Sequence, residues 1–562
     1  MIVGNREIVT DRYFDLEKVS ITGFLEFCKN NLSLIFTVII ALFFTYGIKL
    51  FWYSIGIDTE YLMEDSESFY KWQIQIGRFG SVLLSKLWSI KEFNPSNAFF
   101  MAFCLIGLST ISWCYIIAIF SRDTGKNNKL IPFALVFMTM PIWAEQFYFV
   151  CQAAENAFII GLCPYVIYLL YKGFLDSEKG KIICAFFLLI FITSVYQAIV
   201  PLFCCGVFAC FVLLSERSNY QPQVYRNLCL KLFITLTAAM TAYSVIDRVI
   251  IPVVFKIEKA AYLYNMIEWK QLSIVDCILE IFTLGYIVTI GHIPLVQQFV
   301  DPIIASSDET GMLAAEVINN LSRVAGTVLL LPVTVLFLVK VYTGMHKVIA
   351  AERRLLYILA SIGIPFCIML LAILGGNRTP LRTLYALPFA FAFMFFYLVK
   401  SYKKTAAVII TCFALITSLY QARTTAQLFY SDQMRYNEDV RLAYELNDLV
   451  SKIQPDDEKL PVALMGRYHT ASRFNTNFLP GEVIGSSFFE WDFPQLESPT
   501  FRGLSFIKSL GINFNKPNEK QLIQAHKEAE LMPIYPAPGC VKRMQDIIVV
   551  RLSATLYDDA EH

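Results

Sequence analysis

Asp58 and Glu60 stand two residues apart in Ser54-Ile55-Gly56-Ile57-Asp58-Thr59-Glu60, just after a long apolar run. In an extended segment residues i and i+2 project to the same side. The two carboxylates can then act together as a general base, or hold a divalent cation such as Mg or Mn. A solvated acidic loop fits the same triplet. Gly77-Arg78-Phe79-Gly80 sets a guanidinium between glycines that allow close backbone approach. Arg78 can reach a phosphate or snorkel from an interfacial helix. Arg378 and Arg382, in Gly375-Gly376-Asn377-Arg378-Thr379-Pro380-Leu381-Arg382, suit bidentate phosphate binding or headgroup anchoring. Glu145, Gln146, Gln152, Glu155 and Asn156 cluster where one apolar run passes into the next. Ionisable groups there are functional candidates, and a hydrogen-bonded helix cap is the competing reading. Asp247 and Arg248 read as a local ion pair. His292 and His469 are isolated, and no metal cluster, nucleophile elbow or phosphate-cradling Gly loop is visible.

The elements that must position these groups are membrane helices. Of 562 residues 56% are hydrophobic and 15% aromatic, against 45–50% apolar in an ordinary soluble domain. The apolar residues form continuous, non-alternating runs near the ~20 residues that span a bilayer. Inside lipid only helices or closed barrels satisfy their backbone groups, and unbroken runs favour helices. About eleven spans are expected, near 33–53, 97–120, 130–149, 153–171, 182–198, 200–215, 232–252, 323–342, 355–374, 383–399 and 405–423. The net charge of +1 and the lack of a basic tract exclude nucleic acid as a partner. The 14 Cys lie mostly inside the apolar runs as small hydrophobes, with no disulfide framework. The polar, charged start of the chain argues for an uncleaved anchor rather than a cleaved signal peptide.

Lys and Arg concentrate in residues 1–32, 121–129, 172–181, 215–231, 343–354 and 400–404, and the expected spans put all six segments on one side. By the positive-inside rule that side is the cytoplasm. The Arg378–Arg382 loop then faces outward, against the trend. Residues 276–297 would invert every later loop if they crossed, so they read as interfacial or re-entrant, interrupted near Gly291-His292-Ile293-Pro294. The organisation expected is a cytoplasmic segment 1–32, a transmembrane domain 33–424 with outer loops 54–97 and 253–320, and an extracytoplasmic α/β domain 425–562. Residues 69–90 suit one helix lying flat on the membrane. In the tail, helices are expected at 433–453 and 519–531, with strand-like runs at 462–465 and 547–552.

Taken in order, Ile57-Asp58-Thr59-Glu60, Ile76-Gly77-Arg78-Phe79-Gly80, Glu145-Gln146-Phe147-Tyr148-Phe149 with Gln152 and Glu155, Gly376-Asn377-Arg378, Pro461-Val462-Ala463-Leu464-Met465-Gly466 and Gly485-Ser486-Ser487-Phe488-Phe489-Glu490-Trp491-Asp492 resemble the bacterial type II glucosyl transferase family. Members often carry Asp-Asp after the first helix, where this chain has Asp58-Thr59-Glu60. The resemblance implies a C-type glycosyltransferase fold in the bacterial cytoplasmic membrane. It also implies a polyprenyl-phosphate-glucose donor and transfer to a surface glycan such as O-antigen on the non-cytoplasmic face. On that basis Asp58 is expected as the base with Glu60 as a second acid, and Arg78, Arg378 and Arg382 at the donor phosphate. Glu145, Gln152, Glu155 and Trp491 are the expected acceptor or sugar contacts. Rival readings are the same chemistry with another sugar, a transporter or flippase of lipid-linked glycans, and a glycan polymerase.

Overall fold

The structure, a computed structural model, describes residues 16–88, 93–217, 220–289, 322, 325, 329–349, 351–454, 459–469, 478–479, 481–492 and 499–556. It is mostly helical, with one small sheet near the C-terminal end. A helix or bent helix pair overlaps each of the eleven apolar runs. Among the described residues seven helices are long and apolar enough to cross a membrane, or eight if the bent pair is one span. Eight of the eleven expected spans fall in that class if the bent pair is counted as one; Lys179–Val195, Leu330–Val348 and Ala386–Ser401 are apolar helices that fall short of its length or hydropathy. Phe44, Phe187, Phe233 and Leu355 are exposed on these helices, as residues that face lipid would be.

Pro95–Ser121 and Val150–Leu175 pack along their lengths. Small residues let them approach: a Cβ on Gly161 would lie 2.5 Å from Ser109 Oγ, and Ser109 donates to the Ala157 carbonyl at 2.7 Å. Hydroxyl-to-carbonyl bonds of this kind are a common adhesive between membrane helices. Asn94 caps Pro95–Ser121, and Pro95 sits where its missing N–H costs nothing.

Three features differ from expectation, each for a local reason. The run 130–149 is two helices, Leu130–Thr139 and Ile142–Tyr148, bent by 50°. Pro141 disfavours helical backbone at Met140, which has ψ 125°. The break aims Ile142–Tyr148 toward the tail. The flat helix over 69–90 is instead Ser66–Gln75 and Phe79–Trp88, joined at an elbow where Gly77 has φ +84°. The elbow is pinned: Tyr243 donates to the Gly77 carbonyl at 3.0 Å and Gln197 to that of Ile76 at 3.0 Å. The last span and the tail's first helix are one helix, Lys404–Ser451. Its 48 residues contain neither Gly nor Pro, so nothing interrupts about 72 Å of helix at 1.5 Å per residue.

The described part of 276–297 belongs to Ile274–Thr289, a 16-residue helix short of a full span; the interruption at 291–294 lies outside the described residues. The tail sheet has the order β1-β3-β2, with β1 (Val462–Met465) parallel to β3 (Ile548–Arg551) and β2 (Val541–Arg543) antiparallel to β3. Thr500–Ser509 packs on β1, and Glu519–Ala529 on β1 and β3. The expected strands and the helix at 519–531 are thus present.

Candidate active site

The first loop enters the site under tight steric control. A Cβ on Gly56 would lie 2.1 Å from the Tyr148 carbonyl oxygen, so only glycine lets the loop lie on that helix end. Asp58 follows in left-handed backbone, φ 70°, and the helix Thr59–Glu64 starts immediately after it. The extended geometry expected for Asp58 and Glu60 is therefore absent. The two carboxylates converge all the same, on a residue that sequence reading did not select. Arg502 Nη1 donates to Glu60 Oε1 at 2.5 Å and lies 3.4 Å from Asp58 Oδ1; Nη2 also lies 3.4 Å from Asp58 Oδ1. Asp492 Oδ2 accepts from Arg502 Nε and Nη2 at 2.9 and 2.6 Å. Asp492, like Asp58, has positive φ, 68°. Non-glycine residues held this way are uncommon and concentrate at functional sites.

The two first-loop acids differ in access. The Asp58 side chain is 43% exposed and that of Glu60 1%. Burial pushes the Glu60 carboxyl up to about 7, against the opposing pull of Arg502. Burial alone would lower the Arg502 guanidinium, but Glu60, Asp58 and Asp492 together hold it above its ordinary value. Among the described residues no group of three or more His, Cys, Asp or Glu is arranged to hold a metal ion. The cationic partner of the Asp58, Glu60 and Asp492 carboxylates is the Arg502 guanidinium.

Arg78, Arg378 and Arg382 line one cavity of about 480 Å³, within the size range of small-molecule sites. The Gly77 elbow delivers Arg78, whose guanidinium stacks on Tyr196 at 4.6 Å and donates to Gln152 Oε1 at 3.3 Å. Its Nε is buried with no hydrogen-bond partner. Arg382 lies over the Phe149 ring at 5.4 Å and 3.7 Å from Glu482, and Arg378 lies 4.0 Å from Glu280 at the rim. The loop bearing both turns at Gly376, φ +73°, where a Cβ would lie 2.8 Å from the Trp269 ring. Acid cluster and arginine cavity meet at one place in the fold: Thr59–Glu64 packs on Val150–Leu175, whose first turn carries Gln152, the partner of Arg78.

The remaining expected contacts are distributed differently. Glu145 is fully buried and accepts the backbone N–H groups of Glu482, Val483 and Ile484 at 2.6, 3.0 and 3.1 Å. It holds a tail loop and has no surface to offer a sugar. Glu155 is buried and accepts from Ser85 Oγ at 2.6 Å. Trp491 is half-buried beside Asp492. Asp247 pairs with Lys259, not with its neighbour Arg248.

A second ionic cluster binds the long helix to the tail. Arg435 Nη2 donates to Asp432 and to the Ile55 carbonyl (2.9 Å), and Nη1 to Asp439 at 3.1 Å. Ser487 Oγ and the Phe488 N–H donate to Asp439, and Lys49 lies 3.4 Å from Asp432. The side chains of Arg435, Asp432 and Asp439 are 0% exposed. Neither Arg435 nor Arg502 announces itself locally, since each is a single arginine with no recognisable motif around it.

A family model described as glucosyl transferase GtrII matches residues 54–399, and no curated protein matches the chain. The matched segment opens at the acid loop and takes in Asp58, Glu60, Arg78, Arg378 and Arg382, but not Asp492 or Arg502. With the match covering more than half of its 562 residues, this membrane-embedded chain belongs to the glucosyl transferase GtrII family.

Proposed function

We propose that the protein transfers glucose from a polyprenyl-phosphate carrier to a surface glycan, on the non-cytoplasmic face of a bacterial cytoplasmic membrane. The observation that carries this reading is the convergence of three arginines on one cavity, while the helix that starts after the exposed Asp58 packs on the same helix, Val150–Leu175, that carries the Gln152 partner of Arg78. The donor phosphate binds at Arg78, Arg378 and Arg382. Asp58 removes the proton of an acceptor hydroxyl, and that oxygen attacks the anomeric carbon from the face opposite the phosphate. The bond from the anomeric carbon to the phosphate oxygen breaks, its electron pair leaves on the phosphate, and the configuration inverts. Charge grows on that phosphate in the transition state, so guanidinium groups already in place lower the barrier.

Exposure supports the division of roles. Asp58 is open to an acceptor, whereas Glu60 is enclosed and acts as the second acid behind it. Gln152 beside Arg78 and Trp491 beside Asp492 are the sugar contacts in this reading. Glu145 and Glu155 are supports. The N-terminus is cytoplasmic and the tail lies outside, as the Lys and Arg distribution favours. The test is transfer in vitro from synthetic polyprenyl-phosphate-glucose to the host's purified surface glycan. Wild type transfers and Asp58→Ala does not. Failure of folded wild type with this donor and with other polyprenyl-phosphate sugars would sink the assignment, and product analysis identifies the sugar moved.

A further inference from the structure

The first-loop acids and the tail meet through one planar side chain. Asp492 holds Nε and Nη2 of Arg502 at 2.9 and 2.6 Å, which fixes the plane of the guanidinium from the tail side. Glu60 holds Nη1 at 2.5 Å from the loop side. Asp58 Oδ1 is then 3.4 Å from both terminal nitrogens, the longest and most exposed of the three contacts. The geometry is that of a cation gripped by two acids and presented to a third.

We propose that Arg502 is a positioning residue for glycosyl transfer: gripped by Asp492 and Glu60, it orients the Asp58 carboxylate in its left-handed turn, so that the tail completes the catalytic site. The inference rests on the reading of Asp58 as the base. It goes beyond the matched family segment, which ends at residue 399, before either Asp492 or Arg502.

Two observations separate orientation from simple docking. First, the tail is latched to Thr59–Glu64 by other bonds. Glu64 accepts from Lys516 at 2.7 Å and from Lys508 at 3.3 Å, and Ser505 also donates to it. Docking therefore does not depend on Arg502. Second, both Asp58 and Asp492 are held in left-handed backbone, φ 70° and 68°, a strain that docking alone does not require and that concentrates at functional sites.

The charged and titratable groups around the two first-loop acids are Arg502 and Asp492 from the tail, and Cys151 and Tyr148 from the helices beneath. Among these Arg502 is the cation, and it favours the ionised form of Glu60. Removing it lets Glu60 keep its proton to higher pH.

The experiment compares pH–rate profiles of full-length wild type, Arg502→Gln, Arg502→Lys and Asp58→Asn, with synthetic polyprenyl-phosphate-glucose, the host's purified surface glycan and thermal unfolding of each variant. Arg502→Gln is expected to lower the plateau rate at least ~10-fold and to move the acid limb up by about one pH unit. Arg502→Lys keeps the charge but not the fork, so its limb stays near wild type while its rate is only partly restored. Glu60→Gln/Arg502→Gln, which leaves no unpaired buried acid, is expected to recover thermal stability without recovering rate. If Arg502→Gln loses activity only in proportion to folded protein with its limb unmoved, or if the double variant regains wild-type rate, the orienting role is overturned. Wild-type transfer by Asp58→Asn would overturn the base assignment itself, a failure distinguishable from that of Arg502 alone.

Discussion

Arg435 and Arg502 are built to nearly the same plan. Each is an arginine on a helix, each pairs with acids on both sides, and each ties the chain's C-terminal part to the first loop. Arg435 faces Asp432, Asp439 and the Ile55 carbonyl, all out of contact with solvent. Its neighbourhood, with Lys49, is two cations against two anions, with Ser54 and Ser487 donating to the acids. Arg502 faces three carboxylates, of which Asp58 and Asp492 are substantially exposed and in left-handed backbone. The balanced, enclosed cluster is what a structural junction requires, because an unpaired charge at such depth is prohibitive. The unbalanced, half-open cluster keeps a carboxylate available to a substrate.

The sharpest way to break the comparison is to remove one side chain from each cluster. Asp58→Ala is expected to cut transfer by about 10²–10⁴-fold, the usual contribution of a general base, with the unfolding temperature unchanged. Arg435→Gln is expected to do the reverse, costing about 3–5 kcal/mol of stability by stranding Asp432 and Asp439. Thermal unfolding in detergent and the yield of folded protein measure it. If Arg435→Gln leaves stability intact, the two clusters do not differ as described.

Arg78→Ala and Arg382→Ala come next. Each removes a charge-assisted contact to the donor phosphate, worth about 1.5–3 kcal/mol, so each should lower kcat/KM by roughly 10–150-fold. The test is transfer measured across donor concentrations, and an effect confined to acceptor KM would remove the cavity from the donor site.

The smallest effect concerns Glu60. Its carboxyl is raised from 4.5 to about 7 by burial. The folded state then holds a proton that the unfolded state has lost, so this group's contribution to stability is complete below pH 4.5 and disappears as pH rises through about 7. Activity runs the other way, since pairing with Arg502 needs the carboxylate, and wild-type transfer should fall as pH drops through about 7. Glu60→Gln should abolish the stability trend and remove the limb near pH 7, leaving the rate at the low-pH level throughout. Parallel unfolding and rate profiles over pH 4–8 decide it.

Composition and apolar runs were enough to establish a helical membrane protein, because the ~20-residue bilayer requirement acts on local sequence. The tail's strands were legible from Val462–Met465 and Ile548–Arg551 for the same local reason. Arg78 stood out between glycines, and Arg378 and Arg382 as two arginines in an outward loop against the charge trend, and all three line one cavity. Only the tertiary structure decided that Glu145 is consumed by three backbone N–H groups of a loop more than three hundred residues away. Only it could bring Arg502 to Asp58 across 444 positions of the chain. Hydrophobicity and backbone preference are properties of short segments and so are written locally. The partner of a buried charge is set by which helices pack together, and no spacing along the chain encodes that.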